Sequence, residues 1–181
     1  MPRSPRTPDD TPLLAGLAAG REDAFAAAYD RFAARLVAAA WGMLGNRADA
    51  EDAVQDVFVS MVRSRASLAE VEDLGAYLFT SLRHAAARRW QRRSAQRSRG
   101  DAALAEAAAA PPAGGVAADR ADRLDRALAT LPREQREVVA LKIDGGLTFA
   151  QIGAVLGVSL NTAASRYRYA LGRLRTSLEE S

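Results

Sequence analysis

The residues of this chain best suited to chemistry are arginines, and the chemistry they suit is the grip of a polyanion. Seven arginines and no acid lie from Arg83 to Arg99, with Trp90 among them. A local basic stripe of this kind is the electrostatic footprint of nucleic-acid binding, and a net charge of only +3 conceals it. Nearer the C-terminal end, Thr162, Ser165, Arg166 and Tyr169 recur at helical spacing and combine hydrogen-bonding with cationic side chains. An opposite cluster, Asp49, Glu51, Asp52 and Asp56, lies in the first half. Reactive chemistry finds less support. No glycine-rich phosphate loop, nucleophile elbow or metal-ligand spacing occurs. With no cysteine and one histidine, the chain has no disulfide, thiolate site or metal cluster. His84 lacks an obvious partner in sequence, and Glu51 and Asp52 would diverge around a helix axis. The expectation is a protein without catalytic residues, cofactor or metal.

The elements that position the C-terminal group follow from local rules. Thr148 with Gln151 three residues on forms a capping-box pattern, and Ile152, Val155 and Leu156 give the helix it starts an apolar face. Gly157 tolerates the positive φ that ends a helix. Val158 can tuck between the helices, and Ser159 is a good N-cap for a second helix reaching about Arg175. On that helix Ala163, Tyr167, Ala170, Leu171 and Leu174 are expected to face inward and Thr162, Ser165, Arg166 and Tyr169 outward. Two short helices and a tight turn make a helix-turn-helix, whose second helix lies in the major groove with its N-terminal residues at base edges. An amphipathic hairpin with merely solvated arginines is the alternative for this segment taken alone.

Upstream, Phe25, Tyr29, Phe32, Leu36 and Met43 mark a helical face that Gly45 and Asn46 interrupt. Ala50, Val54, Val57 and Met61 form a second, and Leu74, Leu78, Leu82 and Ala85 a third that leads into the arginine run. Leu124, Leu128 and Leu131 open the C-terminal unit, followed by a helix starting at Pro132 and by Gly145-Gly146. Period-2 alternation of β-branched residues is missing, so the fold class is all-α: two small helical domains on a flexible linker, the second holding the helix-turn-helix. The boundaries read as a disordered tail over 1–12, a helical domain over 13–95, a linker over 96–118 and a second helical domain over 119–178. No apolar run reaches the roughly 20 residues that span a bilayer, and the N-terminal residues lack the apolar stretch of a secretory signal. The expectation is a soluble cytoplasmic protein without membrane insertion.

Three segments carry a family resemblance: AEDAVQDVFV (50–59), AYLFTSLRHAAARRW (76–90), and LPREQREVVALK (131–142) continuing to Ser165 and Arg166. In this order they resemble the extracytoplasmic-function sigma factors, the smallest sigma-70 class of bacterial RNA polymerase specificity subunits. The resemblance implies that Asp49, Glu51, Asp52, Gln55 and Asp56 dock on the clamp helices of the largest subunit of core polymerase, whose flap is a further contact. It implies that Arg83, His84, Arg88, Arg89, Trp90, Arg92 and Arg93 hold the downstream promoter element while its strands separate. Arginine suits that work, because it pairs bidentately with phosphate and stacks on bases. Trp90 would stack on a base, or else serve the core. The loop from Ser67 to Asp73 matches the family's pocket for a flipped base, and His84 stands where many relatives carry asparagine. Asn161, Thr162, Ala164, Ser165, Arg166, Arg168 and Tyr169 would face the upstream element. At Ala164 many relatives carry lysine or arginine, and alanine removes that long cation from the groove-facing side.

The implied partners are core polymerase, promoter DNA and an anti-sigma protein of the kind common in the family. As a coil, a linker of about 25 residues averages roughly 25–30 Å and extends to on the order of 80 Å. The tether therefore suffices for two promoter elements and also lets the halves pack together when polymerase is absent. A stand-alone helix-turn-helix regulator, binding duplex DNA without polymerase, is the alternative function.

Overall fold

The chain breaks into helices where its glycines, asparagine and prolines punctuate it. The computed structural model describes residues 10–98 and 116–179. In order they form α1 (Asp10–Ala18), α2 (Glu22–Leu44), α3 (Arg47–Arg63), a 3-10 helix (Arg65–Glu70), α4 (Leu74–Ser98), α5 (Val116–Thr130), α6 (Arg133–Ile143), α7 (Phe149–Leu156) and α8 (Leu160–Glu179). The class is all-α, with no strand among the described residues. Gly45 ends α2 in the left-handed conformation at φ 65°, and the Asn46 side chain then caps α3 by accepting from the Asp49 amide at 2.9 Å. None of these helices is long and apolar enough to cross a membrane.

Both expected boundary segments contribute helix. The tail was expected to reach residue 12, yet α1 starts at Asp10. Asp10 is buried and accepts a hydrogen bond from Arg31 at 2.7 Å, and Leu14 and Leu17 anchor the helix in the core. Likewise α4 extends to Ser98 and α5 begins at Val116, inside the expected linker. The remainder of that tail and linker, 1–9 and 99–115, lies outside the described residues.

Packing in the first half follows the apolar stripes of α3 and α4: Ala50, Val54, Val57 and Met61 bury against Leu74, Leu78, Leu82 and Ala85. On α2 the expected Phe32, Leu36 and Met43 are buried and Phe25 packs against the core, so of that stripe only Tyr29 departs. Ala28, Phe32, Leu36, Ala39 and Ala40 are buried, while Tyr29 is exposed with its ring 4.9 Å from that of Phe58. The methyl side chains of alanine allow the neighbouring helices to approach closely, which displaces the larger Tyr29 to the rim.

The main core does not stop at the boundary between halves. Val138 and Leu141 of α6, Leu147, and Ile152, Val155 and Leu156 of α7 belong to the same buried cluster as α1 to α4. A smaller cluster, Ala127, Leu131, Val139, Ala170 and Leu174, holds α5, α6 and α8 together. At the contact between halves, a Cβ on Gly42 of α2 would lie 2.9 Å from the Ala140 Cβ and 3.0 Å from Asp144 Oδ2. Glycine is needed there for close approach. Arg35 of α2 donates from Nε to the Gly145 carbonyl at 3.1 Å, donates to it again through Nη2, and lies over the Phe79 ring at 5.6 Å.

Candidate nucleic-acid and polymerase interfaces

Because its leucine stripe is buried, α4 has a fixed rotation, and that rotation sorts its arginines. Its first turn is capped by Asp73, whose Oδ1 accepts from the Ala76 amide at 2.8 Å. His84, Arg88 and Arg92, four residues apart, then fall on one exposed outer line. Arg89 and Arg93 turn instead toward α3. Arg89 Nη1 lies 2.7 Å from Asp56 Oδ2 with its side chain only 11% exposed, and Arg93 Nη1 lies 3.1 Å from Asp49 Oδ2. Two residues predicted to hold phosphate thus bridge to two predicted to hold polymerase.

The remaining candidates of α4 reach the C-terminal half. Arg83 donates to the Val155 carbonyl at 3.3 Å. Its buried Nε, 3.7 Å from Glu137 Oε2, lacks a hydrogen-bond partner. Glu137 is held from its other side by Arg133 at 2.7 Å. Trp90 is 44% exposed, so it is not a core residue, and the Arg133 guanidinium lies 5.6 Å from its ring centroid. The segment from Ser67 to Asp73, expected as a loop, includes much of the 3-10 helix. Asp73 accepts from Gln151 of α7 at 3.3 Å.

On α3, Glu51, Asp52, Gln55 and Asp56 are exposed and Asp49 is half-buried. Glu51 pairs with Arg47 at 2.7 Å. Sequence reasoning missed what continues this face: Val59 and Val62 are exposed, with the Tyr29–Phe58 pair nearby on α2 and α3. The signal was present, since residues 59 and 62 fall off the buried line of Val54, Val57 and Met61.

The helix-turn-helix forms as its sequence requires. Thr148 and Gln151 make the reciprocal capping box, Gly157 closes α7 at φ 68°, and Ser159 Oγ accepts from the Thr162 amide at 3.0 Å. Ala163, Ala170 and Leu174 are buried. Tyr167 is half-buried, with its ring 5.5 Å from that of Phe149. Leu171, expected inward, is 44% exposed, because the buried line of α8 runs through positions 163, 170 and 174. Asn161, Arg168 and Tyr169 are exposed, whereas Thr162, Ala164 and Ser165 are half-buried, with the Ser165 hydroxyl bonded to the Thr162 carbonyl at 3.0 Å. Arg166, expected outward, is turned to α6. Its Nη2 lies 2.6 Å from Glu134 Oε2 and its side chain is 25% exposed.

Two ionisable groups respond to this packing. Burial lowers the pKa of Arg136, which donates to the Ala129 carbonyl at 2.6 Å and the Leu131 carbonyl at 3.1 Å. Burial also raises the pKa of Asp144, beside Gly42.

The geometry is that of two helical units, each presenting a partly cationic helix. Residues 28–96 match the family Sigma-70 region 2, and residues 127–176 match Sigma-70, region 4. The chain is 35% identical over 164 residues to the RNA polymerase sigma factor CarQ of Myxococcus xanthus, covering 89% of this chain and 92% of that one. The chain belongs to the extracytoplasmic-function sigma factors. The sigma factor SigK of Mycobacterium ulcerans is likewise 29% identical, over 97% of both chains. The fold is shared with two solved structures. One is CnrH in complex with the cytosolic domain of CnrY, at TM-score 0.70 and 23% identity over 95% of this chain and 98% of that one. The other is the sigma factor RpoE of Bartonella quintana with the anti-sigma factor NepR, at TM-score 0.60 and 24% identity over 94% of each chain. In this sigma factor, region 2 takes in most of α2 with α3 and α4, and region 4 runs from the end of α5 into α8.

Proposed function

We propose that the chain acts in the cytoplasm as a dissociable, non-enzymatic specificity subunit of RNA polymerase. The observation that carries this reading is the presence of both matched regions, 28–96 and 127–176, in one chain. A stand-alone helix-turn-helix regulator is not favoured, since it leaves region 2 without a role.

Within this reading the outer face of α3 docks on core polymerase through Asp52, Gln55 and Asp56, with Glu51 and Asp49 at its edge. Exposed Val59 and Val62 extend it with apolar surface. Charge there speeds encounter and fixes orientation, while apolar area adds affinity. The line His84, Arg88 and Arg92 meets the downstream element as its strands part, with Arg83, Arg89, Trp90 and Arg93 behind it. The upstream element is read by α8 through Asn161, Arg168 and Tyr169, flanked by Thr162, Ala164, Ser165 and Arg166.

Two elements some 17 base pairs apart are separated by roughly 60 Å at about 3.4 Å per pair. Halves that share one hydrophobic core do not span that distance. The packed arrangement is therefore the closed form, in which α6 and α7 engage Arg83, Trp90 and Asp73. Opening on polymerase releases them. An anti-sigma protein is a further partner in this reading, supported by the complex of the related fold with NepR.

Reconstitution with core polymerase and genome-wide mapping of transcript starts tests the assignment. The expected result is a set of start sites sharing two spaced elements; no start-site selectivity would overturn it. The docking face is tested by Asp52→Lys, which should abolish co-purification with core enzyme and leave the melting temperature unchanged. Asp56→Lys is a poorer probe, because it sets a second cation against Arg89.

A further inference from the structure

Five glycines lie inside the described helices, and four of them answer to the fold itself. A Cβ on Gly16 would lie 2.7 Å from the Ala24 Cβ, and one on Gly42 would lie 2.9 Å from the Ala140 Cβ. One on Gly153 would lie 2.8 Å from the Val158 carbonyl, the contact that seats the turn of the helix-turn-helix, and one on Gly75 would lie 3.2 Å from Asp73 Oδ1. Gly172 of α8 differs. Among the described residues nothing lies within 4 Å of where its Cβ would be, and its φ is an ordinary helical one. In a helix interior glycine is worse than alanine by about fivefold in the folding equilibrium. Among the described residues no feature uses the missing side chain.

Its surroundings indicate what would. Gly172 continues the exposed line of Asn161 and Arg168, spaced seven and four residues apart. It lines an open groove between the end of α5 and α8, with Arg168, Tyr169, Arg173 and Thr176 around it and no acid in its walls. Neither Arg168 nor Arg173 is engaged by an acid among the described residues. Twelve residues separate Gly172 from the start of α8 at Leu160, about 18 Å along the axis. The major groove is about 12 Å wide. With the first turn of α8 at base edges, Gly172 has passed the bases and reached a strand wall.

The geometry points to Gly172 as the place where the sugar-phosphate backbone of the upstream promoter element lies directly against α8. This rests on the reading of α8 as the helix that enters the groove. The absent side chain admits the backbone to the helix surface. Arg173 holds a phosphate beside Gly172, one turn beyond the base-reading Arg168. Contacts of this type set the register of the helix on the duplex without reading sequence.

The test uses full-length protein in reconstituted holoenzyme and a duplex carrying the upstream element of a start site mapped with the wild type. Gly172→Ala should raise the melting temperature of the free protein by about 1–3 °C and weaken duplex binding about three- to tenfold. Gly172→Leu should weaken it more than tenfold, with unchanged co-purification with core polymerase and unchanged initiation on a premelted template that lacks the upstream element. Arg173→Gln should lower the slope of log affinity against log salt by about 0.9. Wild-type duplex affinity in Gly172→Leu, with Arg168→Ala weakened, would overturn this inference and leave the reading of α8 intact. Wild-type affinity in both would overturn the reading of α8 as well. Loss of polymerase co-purification in Gly172→Leu would show that the face takes protein, and would equally overturn the inference.

Discussion

Helices α4 and α8 carry the same kind of residue to different ends. On α4 three of the arginines predicted to hold DNA are spoken for: Arg89 and Arg93 by acids of α3, and Arg83 by Glu137 and a carbonyl of α7. On α8 Arg166 alone of the predicted arginines meets an acid of another helix, Glu134, while Arg168 stays exposed. The cause lies in the neighbours. The pairs Arg89 with Asp56 and Arg93 with Asp49 run in opposite chain directions, so α4 lies antiparallel to α3 and its basic run faces an acidic one. An arginine's role is thus fixed by the helix beside it. Of the α4 candidates, His84, Arg88 and Arg92 keep the freedom that Arg168 has on α8.

The sharpest way to break this contrast is to exchange a bridging arginine for an outer one. Arg89→Met removes an ion pair whose arginine is buried but whose aspartate is half-exposed, and should lower stability by about 0.5–1 kcal/mol, or about 1–4 °C in melting temperature. Arg88→Ala should stay within about 0.5 kcal/mol yet weaken holoenzyme binding to premelted downstream DNA and reduce the salt slope by about 0.7. Thermal melts and salt titrations of both variants decide it. If Arg88→Ala destabilised the fold and Arg89→Met did not, the two faces of α4 would have been assigned the wrong way round.

A binding effect separates the arginines of α8. Arg168→Ala should reduce affinity for the upstream duplex by about 1–3 kcal/mol, the range for a side chain at a base edge. Arg166→Ala should cost less than about 1 kcal/mol, since Arg166 must first give up Glu134. Equal losses in an equilibrium binding assay would mean that Arg166 swings free in the complex.

What could be read from the sequence was local. The capping box at Thr148, the left-handed Gly157, the Ser159 cap and the stripes of α3 and α4 involve residues within a turn or two of each other, and all of them form. The misreadings share a different cause. Tyr29 and Leu171 lie outside because alanines occupy the close helix contacts, and small side chains carry little weight in a hydrophobic pattern. Arg89 and Arg166 are paired because distant acids arrive beside them. A charge run marks the surface it belongs to but not which of its members another helix will neutralise. Nor does a flexible tether between two helical units disclose that Ile152, Val155 and Leu156 complete a core begun by α1 to α4.

The contact between halves can itself be tuned, with the smallest expected effect. Asp144 sits at the close approach of α2 and α6, and burial raises its pKa above the ordinary carboxylate value. The packed form therefore binds this proton more tightly than the unfolded chain does. Stability from this group is fully present below the unfolded pKa near 4 and is lost as pH rises through the raised value. At neutral pH the charged carboxylate weakly opposes the packing, and its partial exposure to water limits the effect. Asp144→Asn should accordingly raise the melting temperature by about 1 °C at pH 7 and match the wild type near pH 4. A difference that stays constant across that range would remove Asp144 from the account. A label pair on α2 and α6 tests the proposed opening, in which Arg83 and Trp90 would lose their partners while Arg89 and Arg93 keep theirs on α3: the distance should lengthen on binding core polymerase, and an unchanged distance would count against opening. On that reading opening frees Arg83, whereas Arg89 and Arg93 stay paired until the fold itself comes apart.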